Sequence, residues 1–236
     1  MKKLLFFFWV LSAGLFSACS TSSLSPSDLN SSEAYFPLEK GSFIIYDVEQ
    51  TDYTFVDGII NRTYQLRELV KDTVTLQGGQ IAYQLERAIR TDTTVDVWTI
   101  DSIWVAYRTN TQAVRYESSV PFVKLVFPLK RTSNWNGNQL NNNLPDITEN
   151  WKVTEFEREK VINGRRFDKT ITVIHRSDSS CRGKYNKEET YAQGIGLVYK
   201  TYTNFTYEET DPPCTPPFNI EVGRYYVERF RRSGKL

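Results

Sequence analysis

From about residue 35 onward, apolar side chains recur at every second position in short runs, the period expected of strands with one face buried. The clearest run is Ile81 to Arg90, where Ile81, Tyr83, Leu85 and Ile89 alternate with Gln84, Glu86 and Arg90. Val95 to Tyr107 repeats the pattern through Trp98, Ile100, Trp104 and Ala106, and Val123, Leu125, Phe127 and Leu129 repeat it again. Phe43 to Val48, Tyr64 to Val70, Trp151 to Ile162, Phe167 to His175, Leu197 to Tyr207 and Ile220 to Phe230 complete the set. Turn chemistry separates several of them: Gln77-Gly78-Gly79-Gln80 and Asn163-Gly164 are hairpin signals, since both tolerate positive φ. Pro121 and Pro128 confine their segment to an edge or a strand end, because proline cannot donate to a ladder. The pattern predicts an all-β, mainly antiparallel domain of roughly eight to ten strands. Glu155 to Lys160 is the one stretch that would support a short helix, and Asn134 to Asn143 reads as a polar loop.

Composition agrees: 14% of residues are aromatic, and Val, Ile and Thr accompany them in place of Ala/Leu/Glu-rich helical stretches. The expected organisation is a leader over residues 1–18, a Ser-rich flexible tether over 19–34 and one β domain over 35–236. Without Lys2 and Lys3 the 29 basic residues become 27 against 28 acidic ones, so no global attraction to nucleic acid follows.

The first twenty residues, MKKLLFFFWVLSAGLFSACS, say where the domain resides. Lys2 and Lys3 precede an apolar run, Leu4 to Phe16, too short for the roughly 20 residues of a spanning helix, and the arrangement reads as a secretory signal. Leu15-Phe16-Ser17-Ala18-Cys19 then resembles the lipobox of bacterial lipoproteins, with Phe16 where Leu is commonest. The resemblance implies cleavage before Cys19, acylation of Cys19 and a protein tethered to the membrane through its acyl chains; two or three chains make a durable anchor where one is marginal. In the Bacteroidota branch of these lipoproteins, surface export goes with acidic residues soon after the cysteine. The first here is Asp28, which implies an outer-membrane anchor with the domain facing the periplasm. In an oxidising envelope the remaining cysteines, Cys181 and Cys214, are candidates for a disulfide; the alternative is two buried thiols.

Two segments carry a second resemblance. Tyr191 to Tyr199, YAQGIGLVY, and Phe36 to Phe43, FPLEKGSF, are similar to secreted β-rich domains of uncharacterised families, many of them Bacteroidota lipoproteins. That likeness implies a curved sheet, half-barrel or open barrel and no agreed activity. Read locally, Gly194 and Gly196 permit a bulge or a close backbone approach, not a nucleotide fingerprint.

Candidate chemistry is sparse. His175, the single histidine, sits on an apolar strand face; it is read as a structural residue, with a catalytic base as the alternative. A zinc site from Cys181, Cys214 and His175 would compete with oxidation, and no cofactor or metal is expected. Acidic groups such as Glu155/Glu157 and Glu188/Glu189/Glu208/Glu209 permit two-carboxylate hydrolysis, yet most belong to solvated faces. Arg87 falls on the apolar face of its strand and needs a partner, for which Asp101 is a candidate. The basic run Arg229-Phe230-Arg231-Arg232 with Lys235 is either a solvated tail or a contact with anionic headgroups. The expectation is a non-enzymatic binding module whose concave sheet takes a partner protein or an apolar, lipid or glycan ligand, with Trp98, Trp104, Trp135 and Trp151 as candidate contacts. A carboxylate-dependent envelope hydrolase and a structural part of an outer-membrane assembly are the alternatives.

Overall fold

A computed structural model of the chain describes residues 31–141, 149–211 and 213–236. Cys19 and the leader lie outside the described residues. Among those described, twelve antiparallel strands form one sheet: β1 (Ser42–Thr54), β2 (Gly58–Thr75), β3 (Ile81–Arg90), β4 (Thr99–Arg108), β5 (Gln112–Glu117), β6 (Val120–Val126), β7 (Asn134–Asn136), β8 (Asn150–Ile162), β9 (Arg165–Ser180), β10 (Gly183–Ala192), β11 (Gly196–Tyr207) and β12 (Ile220–Lys235). Each strand pairs with its sequence neighbour except at two places. β1 pairs with β12, and the sheet's edges are β6 and β7. Those edges nearly close the sheet into a barrel. The Val123 N–H donates to the Gly137 carbonyl at 2.9 Å, and the Trp135 indole N–H donates to the Val123 carbonyl at 2.7 Å.

The strand count exceeds the sequence expectation because β5, β7 and β10 carry no one-sided apolar alternation. β10 reads Tyr185, Lys187, Glu189 and Tyr191 on one face and Lys184, Asn186, Glu188 and Thr190 on the other, so polar groups occupy both. β7 lies inside the Asn-rich stretch expected to be loop, and Glu155 to Lys160 is extended within β8. Trp98 sits in the β3–β4 connection, not on a strand. The two hairpin signals form as expected, joining β2 to β3 and β8 to β9, and Pro121 lies on edge strand β6.

One end of the barrel is closed by the segment before β1. Tyr35 and Phe36 enter the main apolar core beside Tyr46, Leu66, Leu85 and Leu197. Polar contacts fix the same segment: the Arg108 guanidinium donates to the carbonyls of Glu33 and Phe36, the Gly194 N–H donates to the Ala34 carbonyl, and the Leu129 N–H donates to Ser32 Oγ. Residues 31–34, placed in the tether by the sequence reading, are therefore packed on the barrel. Gly196, at φ +101°, brings the β10–β11 turn against Pro37, where a Cβ would lie 3.4 Å from the ring. That close approach is the work of the YAQGIGLVY segment. The basic C-terminal run is no tail either. It lies in β12 with Phe230 buried, Arg229 paired to Glu49 at 2.8 Å and Arg231 to Asp47 at 3.2 Å.

At the opposite end, Cys181 in the β9–β10 turn is bonded to Cys214 in the β11–β12 loop, 33 residues away. The bridge ties two connections of the open rim. By chain entropy alone, closing a loop of this length contributes roughly 3 to 4 kcal/mol. Reduction is expected to lower the urea midpoint accordingly, and peptide mapping without reductant is expected to recover Cys181 and Cys214 in one linked species; two alkylatable thiols in protein taken from the envelope would contradict it.

Candidate functional site

Strand register builds the interior tier by tier. Alternate residues of a strand face the same side, so partners two apart stack into rows across the barrel. Register aligns Lys187 with Tyr202, Tyr202 with Tyr226, and Tyr226 with Gln50. Two residues deeper it aligns Glu189 with Lys200 and Lys200 with Glu228. The upper row is aromatic and polar; the lower one alternates in charge.

The lower tier belongs to a buried ion cluster. Lys124 and Glu189, both with fully buried side chains, meet at 2.6 Å, and Lys124 reaches Glu117 at 3.1 Å. Arg115 binds Glu117 at 2.7 Å and approaches Glu189 at 3.6 Å and Glu68 at 3.8 Å. Arg87 joins Glu228 at 2.9 Å to Glu68 at 3.4 Å, and the hydroxyls of Tyr191 and Tyr226 donate to Glu189 and Glu228. Trp104 supplies a ring face to the cluster: the Arg87 guanidinium carbon lies 3.8 Å from its centroid and that of Arg115 5.1 Å. The sequence reading identified Arg87 as needing a partner, but the partner is not Asp101. A bulge in the β3–β4 ladder skips Asp101, pairing Arg87 with Ser102 and Ala88 with Ile100, and Asp101 is exposed.

The cluster's chemistry follows from its burial. Desolvation raises the carboxyls of Glu117 and Glu189, but the surrounding cations more than offset it and hold both well below the usual carboxylate range. Desolvation lowers the Lys124 ammonium to about 8 despite both carboxylates. His175 is buried beside Glu189, its Nε2 3.3 Å from Oε2, and stacked on the Trp151 ring at 3.6 Å between centroids; desolvation pulls it down to about 3. Both the neutral imidazole and the lysine ammonium are sealed from solvent. Carboxylates held this low are poor general acids, which need raised values. Among the described residues no group of acidic, histidine and cysteine side chains has metal-binding geometry.

Above this floor the barrel opens into a polar cavity of about 390 Å³, lined by Gln50, Tyr64, Arg87, Tyr185, Lys187, Lys200, Tyr202, Arg224, Tyr226 and Glu228. That size and convergence of polar groups suit a small ligand. A smaller and more apolar cavity of about 210 Å³ lies at the closed end, between Phe36, Leu38, Phe43 and Ile44, with Glu68 and Arg115 toward the cluster.

The tryptophans singled out from sequence do not converge. Trp104 packs in the ion cluster, and Trp151 is fully buried between Phe122 and His175. Trp135 sits at the seam against Trp151, while Trp98 lies on the outer wall, where Arg67 and Arg90 cover its ring. The aromatic surface of the cavity comes instead from Tyr64, Tyr185, Tyr202 and Tyr226, which the sequence reading missed. The signal was the run Tyr185-x-Lys187-x-Glu189-x-Tyr191, an alternation of polar aromatics and charges. The carboxylate groups seen in sequence also separate: Glu155 pairs with Lys160 at 2.5 Å, Glu157 with Lys169 at 3.5 Å, and Glu188 lies on the opposite face from Glu189.

No protein-family model matches the chain, and no curated protein is similar to it. Among solved structures it is similar to a protein described as exported, with a YmcC-like fold, from Bacteroides fragilis (13% identity, TM-score 0.40). It is also similar to a protein described as a lipoprotein from Parabacteroides distasonis (14% identity, TM-score 0.34). Each alignment covers 84% of this chain and 98% of the other.

His175 has a folded value of about 3 against an ordinary 6.5, so the unfolded chain binds the extra proton and stability falls as pH drops below 6.5. Between pH 6.5 and 5.5, above the range in which the carboxyls of the unfolded chain take up protons, the loss is expected to approach about 1.4 kcal/mol per pH unit. His175→Phe is expected to flatten that segment of a urea-midpoint profile; an unchanged slope would assign it elsewhere. Lys124→Met removes the nearest cation of Glu189 and the second of Glu117's close cations, and is expected to cost roughly 3 to 5 kcal/mol. The double variant Lys124→Met/Glu189→Leu is expected to recover much of that loss in the same denaturation assay.

Proposed function

We propose that this protein is an envelope-anchored lipoprotein that binds a ligand at the open mouth of its barrel without turning it over. The observation that carries the reading is the mouth itself: four tyrosines around a cavity of about 390 Å³, above a floor whose charges are locked in mutual ion pairs. Tyrosine offers a ring face and a hydroxyl at low entropic cost, which suits saccharides and other amphipathic ligands. A floor already paired does not reorganise when the ligand arrives, so little of the binding energy is lost to ordering.

Orientation supports the same reading. Cys19, the acylated residue in this proposal, precedes Ser31 by 12 residues, a span of at most roughly 40 Å. Ser31 lies at the closed end, where Gln193 contacts its carbonyl. The anchor thus attaches at the plugged end and leaves the mouth at the far one. We place the anchor in the outer membrane with the domain in the periplasm, following the resemblance of Leu15 to Cys19 to a lipobox and the lack of early acidic residues.

The test is a screen of the full-length protein in detergent against envelope lipids, glycans and esters, following binding and product together. Saturable binding without product is expected, with at least tenfold weaker affinity in Tyr202→Ala at unchanged melting temperature. Product formation that disappears when one Asp/Glu pair is neutralised would establish a hydrolase instead. In cells, Cys19→Ala is expected to move the protein out of the detergent phase; retention equal to wild type would remove the acyl anchor.

A further inference from the structure

The geometry points to an acidic saccharide as the ligand of the mouth: a pyranose bearing a carboxylate, sulfate or phosphate, with the Lys187 ammonium as the group that selects its charge. This rests on the reading of the mouth as a binding site and adds the class of ligand.

The side chains facing the interior carry a surplus of positive charge. Glu68, Glu117, Glu189 and Glu228 face Arg87, Arg115, Lys124, Lys187 and Lys200, so the cations exceed the carboxylates by one, and the buried His175 is neutral. Partners identify where the surplus lies. Arg87 holds Glu228 at 2.9 Å, and Arg224 holds Asp52 at 2.5 Å. Lys200 reaches Glu189 and Glu117 only at 3.9 and 4.0 Å, and both of those carboxylates have closer cations in Lys124 and Arg115. Lys187 has no carboxylate within ion-pair distance among the described residues. Its ammonium sits instead 5.1 Å from the Phe122 ring and 5.8 Å from that of Trp151.

Acidic groups at the rim do not cancel it. Asp52 is shared between Arg62 and Arg224, Asp96 accepts from Arg90 and Trp98, and Glu149 accepts the Trp151 indole N–H. Asp101 is exposed and takes a hydrogen bond from Ser102. Lys187 and Lys200 thus both line the cavity as cations with unspent capacity, beside the rings of Tyr185 and Tyr202, which meet edge to face at 5.7 Å between centroids. An anion between the ammonium groups would complete the ledger. A pyranose ring carrying it would lie against tyrosine, and the volume suits one or two sugar units. A purely apolar chain would leave both ammonium groups facing hydrocarbon, which is costly.

Calorimetry on the full-length protein in detergent, with glucuronic acid, glucose 6-phosphate and glucose as probes, tests the inference. Both acidic sugars are expected to bind at least tenfold more tightly than glucose at low salt, with the margin shrinking toward 1 M NaCl as screening shortens. Lys187→Gln, checked by its melting temperature, is expected to erase most of that margin. A charge-independent affinity, or a margin that survives both salt and Lys187→Gln, would overturn the acidic-sugar assignment while the binding role stands. Absence of any saccharide binding, with a lipid or ester captured at Tyr202 instead, would also overturn it. If no probe or screened compound binds, the mouth itself is not a binding site and both readings fall.

Discussion

The contact on which the rest of this structure depends is the buried pairing of Lys124 with Glu189. A twelve-stranded barrel is wider than the eight-stranded kind whose interior side chains fill unaided, and the centre of this one is too broad for aliphatic packing from its walls. Long charged side chains span it. Lys124 comes from edge strand β6 and Glu189 from β10, so their 2.6 Å contact ties the two sides of the seam together across the interior. Arg115, Glu117 and Arg87 extend the same bracing to β5, β3 and, through Glu228, β12. Such pairing stabilises little in net terms, because desolvation consumes most of the attraction. Its consequence is specificity: each group is costly to leave unmet, so only one arrangement of the walls satisfies them all.

That arrangement also explains the seam. β7 has three residues, and few main-chain bonds join it to β6. Side chains complete the closure. Trp135 bonds Val123, Trp151 packs edge-on against Trp135, and Gly137 leaves room for it, since a Cβ there would fall 2.1 Å from the Trp151 ring. Lys124 lies 5.1 Å from the Trp151 ring and holds Glu189, so the seam and the ion cluster are one packing unit. Trp135 and Trp151 serve closure here, which is why the tryptophans singled out from sequence do not line the cavity.

What was legible in the sequence divides along the same physical line. Strands with an apolar inner face and polar outer face announced themselves: β3 by Tyr83, Leu85 and Ile89, and β8 and β9 by their flanking Asn163-Gly164 turn. The antiparallel all-β class, the hairpins and the Cys181–Cys214 bridge were therefore readable. Strands facing the charged lumen were not, because period-two reasoning counts apolar residues and β10 has polar ones on both faces. Arg87 was the one visible trace of the lumen, a cation on an apolar face. Its partners were beyond local inference, since Glu228 stands 141 positions away and is brought near only by the pairing of β1 with β12. The tyrosines of the mouth were hidden for a related reason: they lie on four strands, and only register makes them neighbours.

The mouth we propose as a binding surface is set apart by where the charge balance is met and where it is not. Deep in the barrel every carboxylate has at least one cation at close range, and the Lys124 and Glu189 side chains are wholly excluded from solvent. The surrounding cations hold the Glu117 and Glu189 carboxyls well below the usual carboxylate range, so both stay charged beneath the cavity. One tier higher, water reaches the cavity, the rings are tyrosine, and the cations exceed their partners. Locked charges below and unspent ones above divide the interior into a support and a surface, and the disulfide at the rim fixes the connections beside that surface. The mouth is held in place by the electrostatics that close the barrel, and Tyr202 and Lys187 line it without belonging to the Lys124–Glu189 brace.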